Sequence, residues 1–294
     1  MEELKTILGG LSELPPDERD LSVGALYRLP KLEEIPDDFI VGNSEVVDDQ
    51  KESDLCSAYT VANASAQQEG QPVSSAYQFA KIKELLGSPD GFGADLRTAC
   101  KSATKVGSIP RRIAPFTLEA NGRNFVADWR NWPKYLDDDA VHFKKDSYLA
   151  VKGPYDLFDN IRATLWLFRN EKRQVITGAK FRYSWVHIEG GVVPVGGYEN
   201  DFLPHAFRVV GSVRLSERLG GELCLVASLS NGTQIGDRGI FYIPRGVVNN
   251  EFTYGAYTFK DIDPEVAKYL TEKKLGAGNA WWAKVLVAIL KLFT

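Results

Sequence analysis

Residues 49–59 of this chain form a polar run that leads directly into small and apolar residues, Asp49-Gln50-Lys51-Glu52-Ser53-Asp54-Leu55-Cys56-Ser57-Ala58-Tyr59. From Leu55 to Gln68, small or apolar residues recur on nearly every side of a helix. A helix that is apolar on most sides is usually buried at the centre of a domain. The pattern therefore predicts a buried central helix with Cys56 near its N-terminus.

Cys56 is a candidate nucleophile because of its place at the start of this helix. A helix N-terminus and a neighbouring imidazolium both stabilise a thiolate, which is the nucleophilic form of cysteine. The alternative is a buried structural cysteine, since free cysteine is among the most buried residue types. The choice depends on whether the chain also supplies a base.

A candidate base lies far downstream. His205 precedes an apolar run that predicts a strand, in Leu203-Pro204-His205-Ala206-Phe207-Arg208-Val209-Val210-Gly211. A lone histidine before a strand is often structural, but the flanking alanine, the apolar run and the closing glycine favour a catalytic role. A block with Gly232, Gly236 and Gly239 follows, from Asn231 to Pro244.

These three segments, in this order, resemble the sequence signature of the papain-like cysteine peptidases, over about residues 40–250. Gln50 lies six residues before Cys56, at the spacing of the family's oxyanion-binding glutamine. The resemblance implies that Cys56 is the nucleophile and His205 its base. It also implies that Gln50 and the backbone N–H of Cys56 donate to the oxyanion of the tetrahedral intermediate.

The resemblance implies an α+β fold with two lobes, a helical lobe followed by an antiparallel β-barrel-like lobe, and an active-site cleft between them. The residue pattern agrees, because helices followed by strands are typical of α+β proteins. Periodicity predicts helices over 55–68, 73–86, 94–106 and 159–171, and strands over 147–152, 174–176, 180–186, 206–214, 222–228 and 239–243.

The third catalytic position of the family is changed in this chain. Aligning the glycines puts Leu229 where the family's histidine-orienting asparagine belongs, and Asn231 where its shielding tryptophan belongs. Leucine cannot accept a hydrogen bond from an imidazole. Residues two apart on a strand face the same side, so Asn231 is the predicted substitute after a small backbone shift. Ser228 and Ser230 are the alternatives.

Three further departures surround the nucleophile. Ser53 replaces a family cysteine that normally forms a disulfide, Asp54 replaces a glycine, and Ser57 replaces the usual tryptophan. A carboxylate two residues from the thiol opposes thiolate formation if it points inward. The alternative is that Asp54 caps the helix, since aspartate is a favoured N-cap residue.

Gly91 and Gly93 are candidate substrate-binding residues. They lie where the family has a glycine-rich segment that pairs with the substrate backbone, so the resemblance implies that role here. A plain surface loop is the alternative for a Ser-Pro-Asp-Gly-Phe-Gly sequence.

The composition limits which partners and which cellular compartment are expected for this chain. The 294 residues carry a formal net charge of −4, which argues against nucleic acid as a partner. The three cysteines are widely separated and lack metal-ligand spacing, so they predict a reducing compartment, by default the cytoplasm. No metal and no cofactor are expected, and the predicted partner is a protein or peptide substrate.

The chain divides into three predicted regions, a leader over 1–45, a peptidase domain over 46–265, and a linker with an apolar helix over 266–294. Prolines punctuate the leader, which either covers the cleft or packs on a lobe. The apolar run over 280–294 is shorter than the roughly 20 residues of a membrane span. This run is a candidate for docking on a membrane surface or a protein partner; packing on its own domain or on a neighbouring subunit is the alternative.

The predicted activity is that of a cysteine endopeptidase, a thiol protease that hydrolyses peptide bonds through a thiolate–imidazolium pair. The alternative is a catalytically impaired papain-like module with a binding or docking role, which Leu229, Asp54 and Ser57 favour. The thiol, the imidazole and the oxyanion donor are all retained. Loss of the orienting group alone usually leaves substantial activity, so the enzyme is the preferred hypothesis.

Overall fold

The structure is a computed structural model that describes residues 10–12, 17, 20–43, 48–51, 53–186, 188–196 and 202–260. The predicted C-terminal helix over 280–294 lies outside these residues, and the three predicted regions remain a prediction. Within the described ranges, no helix is both long enough and apolar enough to cross a membrane.

Helices dominate the first half of the described chain, as the periodicity predicts. Their starts and ends follow from local chemistry: Ser74 and Asp95 accept hydrogen bonds from N–H groups in the first turns of their helices, and Gly70 ends the central helix in the left-handed region with φ 66°. The helices are α1 Val23–Leu26, α2 Cys56–Glu69, α3 Ser75–Leu86, α4 Leu96–Lys105, α5 Leu118–Asn121, α6 Arg123–Ala127, α7 Tyr135–Ala140, α8 Leu157–Leu167, α9 Tyr183–Val186 and α10 Arg245–Glu251.

Short 3₁₀ turns connect several of these helices and strands. They are Leu32–Glu34, Arg111–Ile113, Trp129–Asn131, Val141–Phe143, Arg169–Glu171, Glu189–Gly191 and Glu217–Leu219.

The second half is built on an antiparallel sheet, which has seven strands among the described residues. The strands are β1 Phe39–Ile40, β2 Ser147–Ala150, β3 Val175–Arg182, β4 Phe202–Arg214, β5 Leu223–Ser228, β6 Ile240–Pro244 and β7 Ala256–Lys260. Their order is β2-β7-β3-β4-β5-β6, with β1 paired to β4. Strand β4 is therefore central, and a register shift between Val209 and Gly211 bends it against β5.

Separate apolar cores support the two lobes. One core joins α2, α3 and α4, includes Cys56 and reaches the sheet at Ile176 and Ala206, and another joins the sheet to α8 and α10. Helix α2 packs on α3 and α4 and also against β4 of the sheet. The start of α2 and the start of β4 consequently meet where the lobes join, as the predicted two-lobe fold requires.

One predicted strand is wrong in part. The sequence predicts separate strands over 174–176 and 180–186, but β3 is continuous and ends at Arg182, and Tyr183–Val186 is a helical turn. Trp185 and Val186 are both buried in this turn, and Trp185 packs edge-on against Phe181. Aromatic and β-branched residues favour strands only while the backbone stays extended, and here tertiary packing favours a turn.

Candidate active site

The thiol of Cys56 lies at the junction of the two lobes. Cys56 is the first residue of α2, and its Sγ accepts a hydrogen bond from the backbone N–H of Ala206 at 3.4 Å. Ala206 follows His205 on β4, so the fold brings together two positions that are 149 residues apart in sequence. Both Cys56 and His205 are 0 % exposed. In this closed form neither side chain is open to a substrate.

Burial keeps both groups uncharged. It raises the pKa of the Cys56 thiol to about 12, against the opposing hydrogen bond from Ala206, and the nearby charge of Asp54 raises this pKa further. Burial also lowers the pKa of His205 to about 3. The closed site therefore holds a neutral thiol and a neutral imidazole at neutral pH rather than an ion pair.

Asn231 is the polar side chain that acts on His205. It stabilises the protonated ring and so opposes the effect of burial on the pKa of His205. Among the described residues, neither ring nitrogen of His205 makes a hydrogen bond of ordinary geometry. Catalytic hydrogen bonds are often long in unliganded structures and tighten only with substrate bound. Leu229, at the family's asparagine position, is instead buried in the apolar core of the sheet lobe.

The two serines proposed as alternatives to Asn231 bind other groups. Ser230 Oγ donates to Gln50 Oε1 at 2.7 Å, and Ser228 Oγ accepts from Arg208 at 3.1 Å. Gln50 is fully buried, and its Nε2 donates to the carbonyl of Ser53 at 2.8 Å. An amide nitrogen carries two hydrogens, so one N–H of Gln50 remains for an oxyanion.

Asp54 neither caps α2 nor points freely at the thiol. The N-cap residue of α2 is Leu55, which makes no side-chain cap, whereas Asp54 accepts hydrogen bonds from Arg123 and from the backbone N–H of Gly93. Burial raises the pKa of Asp54, but the bonds from Arg123 and Gly93 outweigh this effect and lower it overall. The carboxylate is therefore charged and paired, two residues before the nucleophile.

The loop with Gly91 and Gly93 lies beside the nucleophile segment, and its main-chain groups bond to side chains of this chain. Both carbonyls accept from Lys83 Nζ, at 3.0 Å for Gly91 and 2.7 Å for Gly93. The Gly91 carbonyl also accepts from Arg123, at 2.5 Å. The next residue, Ala94, pairs instead with the leader: its N–H donates to the Gly10 carbonyl at 2.8 Å, and its carbonyl accepts from Ser12 at 3.2 Å.

The described leader residues 10–12 are packed between the two lobes. A Cβ on Gly93 would lie 2.0 Å from the Gly10 carbonyl oxygen, and a Cβ on Gly178 of β3 would lie 2.2 Å from a methyl of Leu11. Leu11 is 4 % exposed and belongs to the same apolar core as Cys56. The Gly10 carbonyl and the Leu11 side chain thus approach the two walls too closely for a side chain at either glycine.

Sequence reasoning did not identify four residues that shape this site: Leu11, Lys83, Ala94 and Arg123. Only Ala94 had a local signal, since it directly follows the glycine-rich loop. Arg123 lies 69 positions from Asp54 and carries no motif. As for metals, the described part of the chain contains no group of histidine, cysteine, aspartate and glutamate residues suited to hold an ion.

Comparison with known proteins identifies the fold. No protein-family model matches the sequence, and no curated protein matches it either. Among solved structures, xylellain, a cysteine protease from Xylella fastidiosa, superposes with a TM-score of 0.68 at 20% identity, covering 87% of this chain and 97% of that one.

Two precursor proteases give similar results. The procathepsin B S9 of Trypanosoma congolense matches with a TM-score of 0.63 at 14% identity, over 88% of this chain and 87% of its own. The digestive procathepsin L 3 of Tenebrio molitor matches with a TM-score of 0.62 at 15% identity, over 88% and 78%. The chain therefore has the two-lobe fold of the papain-like cysteine proteases.

Proposed function

We propose that this chain is a cysteine endopeptidase that hydrolyses peptide bonds with Cys56 as nucleophile and His205 as base. The observation that carries the proposal is the meeting of a thiol at the N-terminus of a buried helix with the strand that bears His205. The hydrogen bond from Ala206 to the thiol fixes that meeting at 3.4 Å. The papain-like fold supports the same activity at the level of the fold.

Each polar residue of the site has a part in the proposed reaction. Cys56 Sγ attacks the scissile carbonyl, and His205 takes the thiol proton and returns it to the leaving amine. The free N–H of the Gln50 amide and the backbone N–H of Cys56 bind the oxyanion, a type of contact worth about 3 kcal/mol per donor in comparable enzymes. Ser230 and the carbonyl of Ser53 fix the orientation of the Gln50 amide.

Asn231 takes the orienting role in this proposal. Its support is the stabilisation that it gives to protonated His205, the form that the ring adopts after it removes the thiol proton. An amide that binds the imidazolium favours that state in the transition state as well. The replacement of the family's asparagine by Leu229 then costs little, because the function has moved two residues along the chain.

The closed form is, in this proposal, a latent form. The neutral thiol and imidazole gain their charges when water or substrate enters the cleft and relieves the burial that now suppresses them. Gly10–Ser12 pair with Ala94 as an extended peptide would, so a substrate has to displace them first. Ala94, rather than Gly91 or Gly93, supplies the main-chain groups for a substrate strand.

We also infer a reducing compartment such as the cytoplasm. All three cysteines are free and buried, and an oxidising environment is not needed for any pairing among them. The proposed partner in that compartment is a protein or peptide substrate, which an endopeptidase cleaves at an internal bond.

The test is labelling with an epoxide or vinyl-sulfone probe, read by mass spectrometry, alongside hydrolysis of a peptide mixture. We expect labelling at Cys56 that is lost in Cys56→Ala and His205→Ala. Cys100→Ala is the matched control, because Cys100 is also buried but lies within α4. Absence of labelling in the parent and in a Leu11→Asp variant that opens the cleft would overturn the proposal. The impaired papain-like module would then be the better hypothesis.

A further inference from the structure

The carboxylate of Asp54 connects the nucleophile segment to the loop 89–93. Arg123 binds it through two nitrogens, Nε to one oxygen at 3.0 Å and Nη2 to the other at 2.8 Å. The second oxygen also accepts the backbone N–H of Gly93 at 2.5 Å. Asp54 is only 5 % exposed, so this is a buried, two-pronged ion pair of the strong type.

Two cations also bind carbonyls of the same loop. Besides the Gly91 carbonyl, Arg123 binds the carbonyl of Pro89 at 3.2 Å. Lys83, which is almost completely buried on α3, binds the carbonyls of Gly91 and Gly93. Three carbonyls and one amide within five residues of loop are therefore held by three side chains.

Apolar packing does not fix the tip of this loop. Phe92, its one large apolar side chain, is 66 % exposed. Gly91 has a positive φ of 84°, and a Cβ built on it would meet nothing within 4 Å, so the backbone is free to move at this position. Apart from the packing of Gly93 against Gly10, the polar contacts to Asp54, Lys83 and Arg123 determine the position of the loop.

We infer that Asp54, Arg123 and Lys83 are positioning residues: they hold the loop 89–93 so that the adjoining main chain of Ala94 is presented at the cleft. The inference deepens the proposed endopeptidase function and rests on it for the identity of the strand that Ala94 receives. Asp54 has a second effect, because its charge acts on the Cys56 thiol. The same ion pair thus couples the substrate-binding edge to the nucleophile.

Substitutions can distinguish the effects of the two partners of the ion pair. Arg123→Gln leaves the charge of Asp54 buried and unpaired near the thiol, whereas Asp54→Asn removes that charge. Both variants loosen the loop. Their effects on the thiol are opposite: alkylation of Cys56 moves to higher pH in Arg123→Gln and to lower pH in Asp54→Asn. A purely structural role would not produce opposite shifts.

The first measurement is amide hydrogen exchange over residues 89–94, which needs no activity. We expect exchange to rise by about tenfold or more in Arg123→Gln and Asp54→Asn. Arg123→Lys restores part of the protection, because lysine supplies the charge without the planar fork. Arg130→Gln is the matched control, since exposed Arg130 pairs with Asp128 and touches no atom of the loop among the described contacts.

The second measurement is the steady-state kinetics of peptide hydrolysis. With each variant measured at its own pH optimum, so that the shift in the thiol does not enter, we expect KM to rise by about tenfold in Arg123→Gln while kcat changes by less than about threefold, since the loop positions substrate. Unchanged exchange in folded Arg123→Gln, or alkylation shifts of the same sign in both variants, would overturn the inference. If Arg123→Gln does not fold, Asp54→Asn still gives faster exchange and alkylation at lower pH, whereas Arg123→Lys, which keeps the charge, shifts the alkylation much less; absence of both effects in folded Asp54→Asn overturns the inference.

Failure of the proposed function has a different signature. In that case no variant is labelled at Cys56 by the peptidase probe, yet hydrogen exchange over 89–94 still responds to Arg123→Gln. If the positioning role is wrong, the parent is labelled and hydrolyses peptide, but Arg123→Gln changes neither the hydrogen exchange over 89–94 nor KM.

Discussion

On the thiol side of the cleft, charges and main-chain hydrogen bonds fix the segment just before Cys56, whereas on the imidazole side apolar packing surrounds His205. Just before Cys56, the Asp54 carboxylate pairs with Arg123, and the amide of Gln50 makes two hydrogen bonds, to Ser53 and Ser230. His205, by contrast, lies edge-on to Phe181, with Asn231 as the polar group that acts on it.

The difference indicates which perturbations each side will respond to. Charge-assisted hydrogen bonds fix the orientation of the groups that they join, and they weaken when a partner is removed or neutralised. Apolar packing depends on side chains that fill the available space, and it weakens when a substitution opens a cavity. Substitutions that change charge should therefore act on the thiol side, and substitutions that change size on the imidazole side.

Phe181→Ala should have the largest effect on stability. Phe181 is fully buried, and its ring contacts the rings of Trp185, His205 and Phe241 at centroid distances of 5.3, 5.7 and 5.3 Å. Truncating a buried phenylalanine costs about 3–5 kcal/mol in unfolding free energy, measured by chemical denaturation. Phe92→Ala is the matched control, because Phe92 is largely exposed and its loss should cost less than about 0.5 kcal/mol. Equal losses of unfolding free energy in the two variants would show that apolar packing does not stabilise the imidazole side.

Asn231→Ala should have the next largest effect, on activity. The substitution removes the group that stabilises protonated His205, so the pKa of His205 should fall further. We expect kcat/KM for a peptide to fall by about 10²-fold, with the folded state retained. Ser228→Ala is the control, since Ser228 binds Arg208. If Asn231→Ala kept the kcat/KM of the parent, we would conclude that packing alone orients His205.

Local patterns were sufficient to predict the framework of this molecule. The central helix is predicted over 55–68 and observed as Cys56–Glu69, because an all-round apolar pattern is specific to a buried helix. The fold class is confirmed by the structure and by the solved structures that it resembles. Strand β7, Ala256–Lys260, was not predicted, and the strand predicted through residue 186 ends at Arg182.

The site is harder to predict because its contacts span long sequence separations. The order of Gln50, Cys56 and His205 identifies the candidates, and their roles remain predictions. The ion pair between Asp54 and Arg123 has no periodicity or motif to indicate it. The sequence leaves two possibilities for Asp54, facing the thiol or capping the helix. In the structure Asp54 binds other groups instead. Only the folded chain brings the loop, the leader and the nucleophile segment together.

Leu11→Ala tests what joins the two sides. Leu11 packs against Gly178 of β3, while the preceding Gly10 lies against Asp54 and Gly93. Losing most of a buried leucine side chain costs about 2 kcal/mol, which corresponds to about 30-fold more of the open form. The rate of Cys56 alkylation should rise by that factor, since a buried thiol reacts through opening. Leu21→Ala is the control, because Leu21 is 56 % exposed. Equal alkylation rates in the two variants would exclude Leu11 as a cover of the cleft.

The smallest predicted effect is a difference in acid sensitivity between the two sides. The pKa of His205 is about 3 in the folded state against 6.5 for the free side chain, so the unfolded chain takes up this proton first. The contribution of His205 to stability is present above pH 6.5 and is lost as the pH falls towards 3.

On the thiol side, the pKa of Asp54 is lowered from 3.8, so its contribution is lost only below that pH. Between pH 6.5 and about 5.5, His205 should therefore lower the unfolding free energy by about 1 kcal/mol. His205→Asn should lose this slope, and Asp54→Asn should keep it. A parent that shows no decrease over this range, or an Asp54→Asn variant that loses it, would contradict the assignment of acid sensitivity to the imidazole side. Because the closed form buries the neutral ring, the same acidification should also favour opening of the cleft.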